Sequence, residues 1–173
     1  MILGLDLSTS IIGVCIVDND GKIIHQEHID LRKEETFFDK VRNAKERILH
    51  LFESNLIEDV WIEQSLQAFR PGFSSAKTLL TLSKFSGIME WIIHEGTGIA
   101  PEYIGATTAR KRCGITVPRG QKGKDVVMRF LLDTDPSFVV EYTTYGNIKK
   151  HFYDIADALV IAKAGFLCQH KKN

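Results

Sequence analysis

Ile2-Leu3-Gly4-Leu5-Asp6-Leu7, followed by Ile11-Ile12-Gly13-Val14-Cys15-Ile16-Val17, is the stretch whose reading decides the fold. Residues 2–7 are apolar with no polar alternation, as in a strand buried on both faces. Residues 11–17 are rich in β-branched side chains and end at the turn signal Asp18-Asn19-Asp20-Gly21. Residues 22–30 (KIIHQEHID) therefore return as a third strand, making 11–30 a hairpin.

Beyond the hairpin the period changes. Phe37, Val41, Ala44, Ile48, Leu51 and Phe52 follow a helical spacing, with Glu35 or Thr36 near its start. Residues 59–63 (DVWIE) form a short fourth strand and 64–73 a loop punctuated by Pro71-Gly72. A long helix then runs from Ser74 or Ser75 to about His94, with Ala76, Leu79, Leu80, Phe85, Ile88, Met89 and Ile92 inward and Gly96 as its C-cap. Trp91 and Ile93 lie off that stripe and mark a candidate dimer surface. Residues 102–105 are the fifth strand, and Thr107 or Thr108 caps a short helix. A basic loop over 114–123 precedes a helix from Asp125 to about Leu132. Residues 133–150 read as a mobile connection, and the last helix, about 152–168, packs Phe152, Ile155, Leu159, Val160 and Phe166. A hairpin leading into alternating strands and helices makes a mixed sheet with helices on its faces, an α/β fold.

The 173 residues, 44% apolar, suit one domain over 1–173 with a full core. With 25% charged residues, 13 Gly and 4 Pro, disordered and collagenous classes are excluded. No apolar run approaches the roughly 20 residues of a membrane helix, so no membrane partner is expected. Asp6 and the lack of a basic, then apolar, start argue against a signal peptide. Cys15, Cys113 and Cys168 are widely spaced and odd in number, which reads as free thiols in a reducing, cytoplasmic setting. The net charge of zero conceals a balance of 8 Lys/Arg against 13 Asp/Glu over 1–70 and 14 against 9 over 71–173. The densest basic stretch is 110–129, where seven Lys and Arg face the single acid Asp125. That clustering fits either a phosphate footprint or a solvated helix face.

Four acids stand out by context. Asp6 lies in an apolar strand, Glu63 ends another, and Asp154 and Asp157 share one face of the last helix. A carboxylate in a buried strand is costly unless it is paired or binds a cation. If the four meet, two carboxylates 4 Å apart repel by about 4 kcal/mol at an effective dielectric near 20, and protons or divalent cations must relieve this. An all-oxygen ligand set favours Mg²⁺ or Mn²⁺, and two such ions are the usual clamp for phosphodiester hydrolysis. Spacing leaves other roles open: Asp6 at a solvent-facing strand end, Glu63 in a loop, Asp154 at a helix N-terminus. His151, beside Lys149 and Lys150, reads as a surface residue or a phosphate contact.

Ile2–Ser10 with Gly13, Trp61-Ile62-Glu63-Gln64, and the run Asp154-Ile155-Ala156-Asp157-Ala158-Leu159-Val160-Ile161-Ala162 resemble the three acidic motifs of RuvC-type Holliday-junction resolvases. The resemblance covers nearly the whole chain and implies a ribonuclease H-like fold with a mixed five-stranded sheet flanked by helices. It further implies a homodimer that binds four-way DNA junctions and makes two symmetric, Mg²⁺-dependent nicks, with Mn²⁺ as the alternative ion. Two ions per active site are implied, with Asp6 bridging them and Glu63, Asp154 and Asp157 completing the catalytic carboxylate set. Lys111 and Lys124 fall nearest the family's DNA contacts, with Arg110, Arg112, Arg119 and Lys122 as neighbours.

The sequence also departs from the family. Asp6-Leu7-Ser8 replaces the usual Asp-Pro-Gly, and Leu66 stands where an aromatic wedge usually follows the glutamate. Phe69 and Phe73 come later, in a loop lengthened by Arg70-Pro71-Gly72, as candidate DNA contacts together with Arg70. The neutral charge looks more like the family's bacteriophage members, which act in a bacterial host cytoplasm and also nick forks and flaps. Two other readings compete: an RNA-directed nuclease of the same fold, and a non-catalytic junction-binding or recombination-accessory protein. The presence of all four acids counts against the second.

Overall fold

A computed structural model of the protein describes residues 1–64 and 76–169. The first hairpin and its neighbours form β1 (Ile2–Asp6), β2 (Ile11–Val17) and β3 (Ile23–Asp30), followed by α1 (Phe37–Ser54) and β4 (Asp59–Glu63). Then come α2 (Ala76–Thr97), β5 (Glu102–Ile104), α3 (Ala106–Arg112), α4 (Gly123–Thr134) and α5 (His151–Gln169). The five strands make one sheet in the order β3-β2-β1-β4-β5. The hairpin pairs are antiparallel, whereas β4 joins β1 and β5 joins β4 in parallel. This is the mixed sheet expected from the hairpin followed by strand–helix alternation.

Alternate residues of the strands feed two cores. Leu3, Leu5, Val14, Ile16 and Ile62 meet the buried faces of α1 and α2, including Ile48, Phe85 and Met89. Ile2, Cys15, Val17, Trp61 and Ile104 meet α5, with α3 and α4 packed outside it. Thr36 caps α1, its hydroxyl accepting from the Asp39 amide at 3.1 Å, which satisfies one of the free N–H groups of the first turn.

Two glycines let α5 sit directly on the sheet. A Cβ at Gly4 would collide with the carbonyl of Ala158 and stand 2.6 Å from the Ala162 amide. One at Gly13 would collide with the Asp154 carbonyl and stand 3.0 Å from the Ile155 amide. These contacts are with backbone, which has no rotamer to yield.

Several boundaries and faces differ from the sequence reading. The α2 stripe is Phe85, Ser86, Met89 and Ile93, so Ile93 is core and cannot serve a dimer surface. Leu80, expected inward, is 71% exposed, and Ala76 is exposed too, because the first turns of α2 lie outside the core cluster. The helix continues past Gly96 to Thr97, and Gly98, at φ +76°, donates to the His94 carbonyl and stops it. Gly105 rather than Thr107 or Thr108 precedes α3, and α4 starts at Gly123 rather than Asp125. Residues 133–150 are not a loose connection. Phe138 is buried, Asp135 pairs with Lys163 at 2.5 Å, and Tyr142 bridges Ile148. No helix of the described residues is long and apolar enough to cross a membrane.

Candidate active site

The parallel and antiparallel registers lay one row of residues across the sheet. Asp6 faces Gly13, Gly13 faces His28, and Glu63 faces Ile104. Leu5 pairs with Ile62, and the next step in that register sets Glu63 beside Asp6. The row runs along the carboxyl edge of the parallel strands, where α/β sheets commonly form sites. Because Gly13 has no side chain, the first turns of α5 descend onto the row and bring Asp157 to the two strand acids.

Asp6, Glu63 and Asp157 each present a carboxylate oxygen, and these oxygens lie within 4.8 Å of one another. Asp157 is only 5% exposed. Asp154 stands at the rim, where its Oδ1 accepts from Lys124 Nζ at 2.8 Å. The same ammonium lies 3.3 Å from Asp157 Oδ2, and Arg110 donates to Asp157 Oδ1 at 3.2 Å. Three of the four acids identified in the sequence thus form a compact cluster, and the fourth is tied to it through Lys124.

The sequence offers Arg110 and Lys124 as candidate DNA contacts, but in this structure both face the acids. Their basic run gave no signal of that placement, because α3 and α4 reach the cluster only through their packing on α5. Lys111, Arg112, Arg119 and Lys122 are exposed. Phe69, Arg70 and Phe73, like Leu66, lie outside the described residues. His151 stacks on His28 with ring centroids 3.8 Å apart, a contact that separation along the chain concealed.

The electrostatics follow from crowding. Burial first, then the carboxylates of Glu63 and Asp157, hold the Asp6 carboxyl well above its ordinary value, with Lys124 pulling the other way. Burial and then Asp157 push Glu63 up to about 7 against Arg110 and Lys124. Burial works against the charge of Lys124, but its bond to Asp154 and the fields of Asp157 and Asp6 outweigh it and raise its pKa. Without a cation, Asp6 and Glu63 retain protons that ordinary carboxyls have lost.

The donor set fits a hard divalent cation. It is all oxygen, closely spaced and buried, with no Cys or His among the three converging residues. Binding must expel the retained protons, so Ca²⁺ affinity is expected to rise with pH through about 7. Calorimetric titration in buffers of different ionisation enthalpy would count the protons released. The sign for folding is opposite. A carboxyl whose folded pKa is raised binds more protons folded than unfolded, so Glu63 costs the metal-free protein stability as pH climbs from about 4.5 to about 7.

The mixed sheet and its helices form a ribonuclease H-like α/β fold, with a carboxylate cluster at the sheet edge. The fold is that of the RuvC-type resolvases. The chain is similar to T. thermophilus RuvC in complex with a Holliday junction substrate, with a TM-score of 0.70 and 17% identity over 98% of this chain and 94% of that one. A second Thermus thermophilus RuvC structure gives a TM-score of 0.66 and 19% identity, covering 98% and 96% of the respective chains. The yeast mitochondrial Holliday junction resolvase Ydc2 gives 0.64 and 15%, covering 98% of this chain and 79% of the other. No family model matches the chain, and no curated protein matches it in sequence.

Proposed function

We propose that the protein is a structure-specific DNA endonuclease that resolves four-way junctions, and also cuts forks and flaps, by metal-dependent nicking as a homodimer. The observation that carries this reading is the convergence of Asp6, Glu63 and Asp157, with Asp154 alongside, on a fold shared with junction resolvases. An intact acid cluster also disfavours the non-catalytic alternative.

Asp6, Glu63 and Asp157 would hold two Mg²⁺ or Mn²⁺ ions, with Asp154 completing the set. Such ions, when bound, activate a water and stabilise the leaving oxygen of a phosphodiester. The chain's own part is to hold the carboxylates in fixed positions. Asp6 and Glu63 are set by neighbouring strands, and Asp157 by a helix that cannot shift without leaving the glycine seat. Lys124 is 49% exposed in its side chain, at the rim beside Asp154, where it can meet a phosphate oxygen arriving over the cluster. Exposed Lys111, Arg112, Arg119 and Lys122 add salt-dependent backbone affinity.

The test is nicking of a labelled immobile four-way junction with Mg²⁺, Mn²⁺ or Ca²⁺, beside a duplex of the same sequence. Paired symmetric cuts in the junction alone, with Mg²⁺ or Mn²⁺, are expected. Tight binding with no cuts under any metal would move the protein to an accessory role, and preferential cutting of structured RNA or an RNA–DNA hybrid would move it to RNA.

The homodimer reading has its own test. Leu80 and Trp91, 71% and 59% exposed, lie eleven residues apart, three turns along one outer stripe of α2. Light scattering is expected to give a dimer for the wild type and a monomer for Trp91→Glu, with the fold intact. A monomeric wild type at micromolar concentration removes the dimer.

A further inference from the structure

The segment between α4 and α5 has no part in the carboxylate chemistry, yet it is built as a defined arm. Its base is anchored by buried Phe138 and by Gln26 of the edge strand β3, whose Nε2 donates to the Val139 carbonyl at 2.5 Å. Above the base, Lys149 N donates to Glu141 O at 2.9 Å and Thr143 N to Asn147 O at 2.7 Å. The turn closes with Gly146, at φ +76°, donating to Thr143 O at 3.0 Å, a conformation that favours glycine. Glu141 and Lys149 pair across the legs.

At its tip this ordered hairpin presents aromatic surface to water. Tyr145 is 89% exposed and Tyr142 55%. Ordering a hairpin costs conformational entropy, and a tip ring left in water returns no burial energy for it. Residues 141–150 read EYTTYGNIKK: two tyrosines, hydroxyl and amide side chains, and two lysines, one of which pairs with the single acid Glu141 at the foot. Exposed aromatic rings with lysines at the foot of the returning leg match a nucleic-acid strand whose bases are open to stacking.

The position agrees with the chemistry. The returning leg runs straight into α5, with Phe152 N donating to Lys149 O, so the arm ends within one turn of Asp154. At its foot a cleft of about 420 Å³ opens between the arm and β3, lined by His28, Lys149 and His151 together with the carboxylates Glu27 and Glu141. His28 lies in the same sheet row as Asp6, two strands away, or roughly 10 Å at the usual strand spacing. A DNA strand passing over the carboxylates covers that distance in about three nucleotides at about 3.4 Å of axis each. In a continuous duplex those bases are stacked on both sides, whereas at a branch the stack is interrupted where strands exchange and a base there opens more readily.

We propose that the 141–149 hairpin is a second DNA-contacting arm, in which Tyr145 stacks on an unpaired base flanking the cut strand and so favours branched over duplex DNA. This rests on the nuclease reading above, with the hairpin at the β3 end of the carboxylate row.

The test is a binding titration in Ca²⁺, using a four-way junction with 2-aminopurine at the branch point, a matched duplex, and the variants Tyr145→Ala, Tyr145→Phe and Thr144→Ala. Tyr145→Ala is expected to weaken junction binding about tenfold, within the range for loss of one stacked base, and to leave duplex binding unchanged. It should also abolish the 2-aminopurine quenching expected of wild type, while Tyr145→Phe and Thr144→Ala retain both affinity and quenching. Unaltered junction affinity in Tyr145→Ala, or equal weakening for junction and duplex, overturns the arm's role. So does a change confined to dimer mass, which would assign Tyr145 to a protein contact. If wild type binds no DNA at all, the nuclease reading itself fails; if wild type cuts junctions and Tyr145→Ala binds them normally, only the hairpin proposal fails.

Discussion

Asp6→Asn is expected to lower junction cleavage by at least about 10³-fold, some 4 kcal/mol of barrier, while leaving junction binding within a factor of a few of wild type. Asp6 occupies the centre of the cluster, with Glu63 and Asp157 among its closest charged neighbours. An amide in its place fills the same volume but offers one neutral acceptor oxygen, too little to hold a divalent cation against water. The same change removes a negative charge that repels phosphate, so affinity has no reason to fall. It also removes a desolvated carboxyl pressed by its neighbours, so thermal stability without metal should hold or rise. Single-turnover cleavage, binding in Ca²⁺ and a melting curve check the three parts. Loss of binding together with a lowered melting temperature would make Asp6 a structural residue.

The second large effect concerns a residue with no chemistry at all. Gly13→Ala is expected to destabilise the protein by more than about 3 kcal/mol, roughly 10 °C in melting temperature for a chain of this size. The added methyl has only the Asp154 carbonyl and the adjoining α5 backbone to meet. Either the helix lifts off the sheet or the strand bows, and both separate Asp157 from Asp6. Ca²⁺ affinity should therefore fall along with stability. Gly87→Ala is the control: a Cβ at Gly87 meets nothing within 4 Å, and helix propensity alone predicts a gain of up to about 1 kcal/mol.

The hairpin, the α1 stripe and the acidic strand ends were legible because each is a local pattern. Periodicity, a turn signal or a charge out of place is visible within a dozen residues. The α2 face was misjudged by one position: Ile93 and Leu80 exchange places between core and surface because the outer turns of that helix have no partner layer. Such an exchange depends on where the neighbouring elements end, which periodicity does not record. Arg110 and Lys124 illustrate a different loss. Their charge suggested phosphate, but the nearest negative charges are those of Asp154 and Asp157, thirty or more residues further along. The 141–149 hairpin falls in the stretch that the sequence reads as a mobile connection, because a mixed polar composition describes an ordered arm and a loose loop equally well.

The helix that fills the centre of the sheet is the last element of the fold, and this sets a timetable. Until residues 151–169 have been synthesised, Gly4 and Gly13 face an uncovered groove and the strand acids lack Asp154 and Asp157. At about 5–20 residues per second, the first 150 residues take roughly 8–30 s to make. Throughout that interval a growing chain carries at most two of the four site carboxylates and none of the helix that assembles them. A site arranged this way cannot assemble on the ribosome before α5 emerges, and a chain cut short before α5 can close neither its core nor its carboxylate cluster.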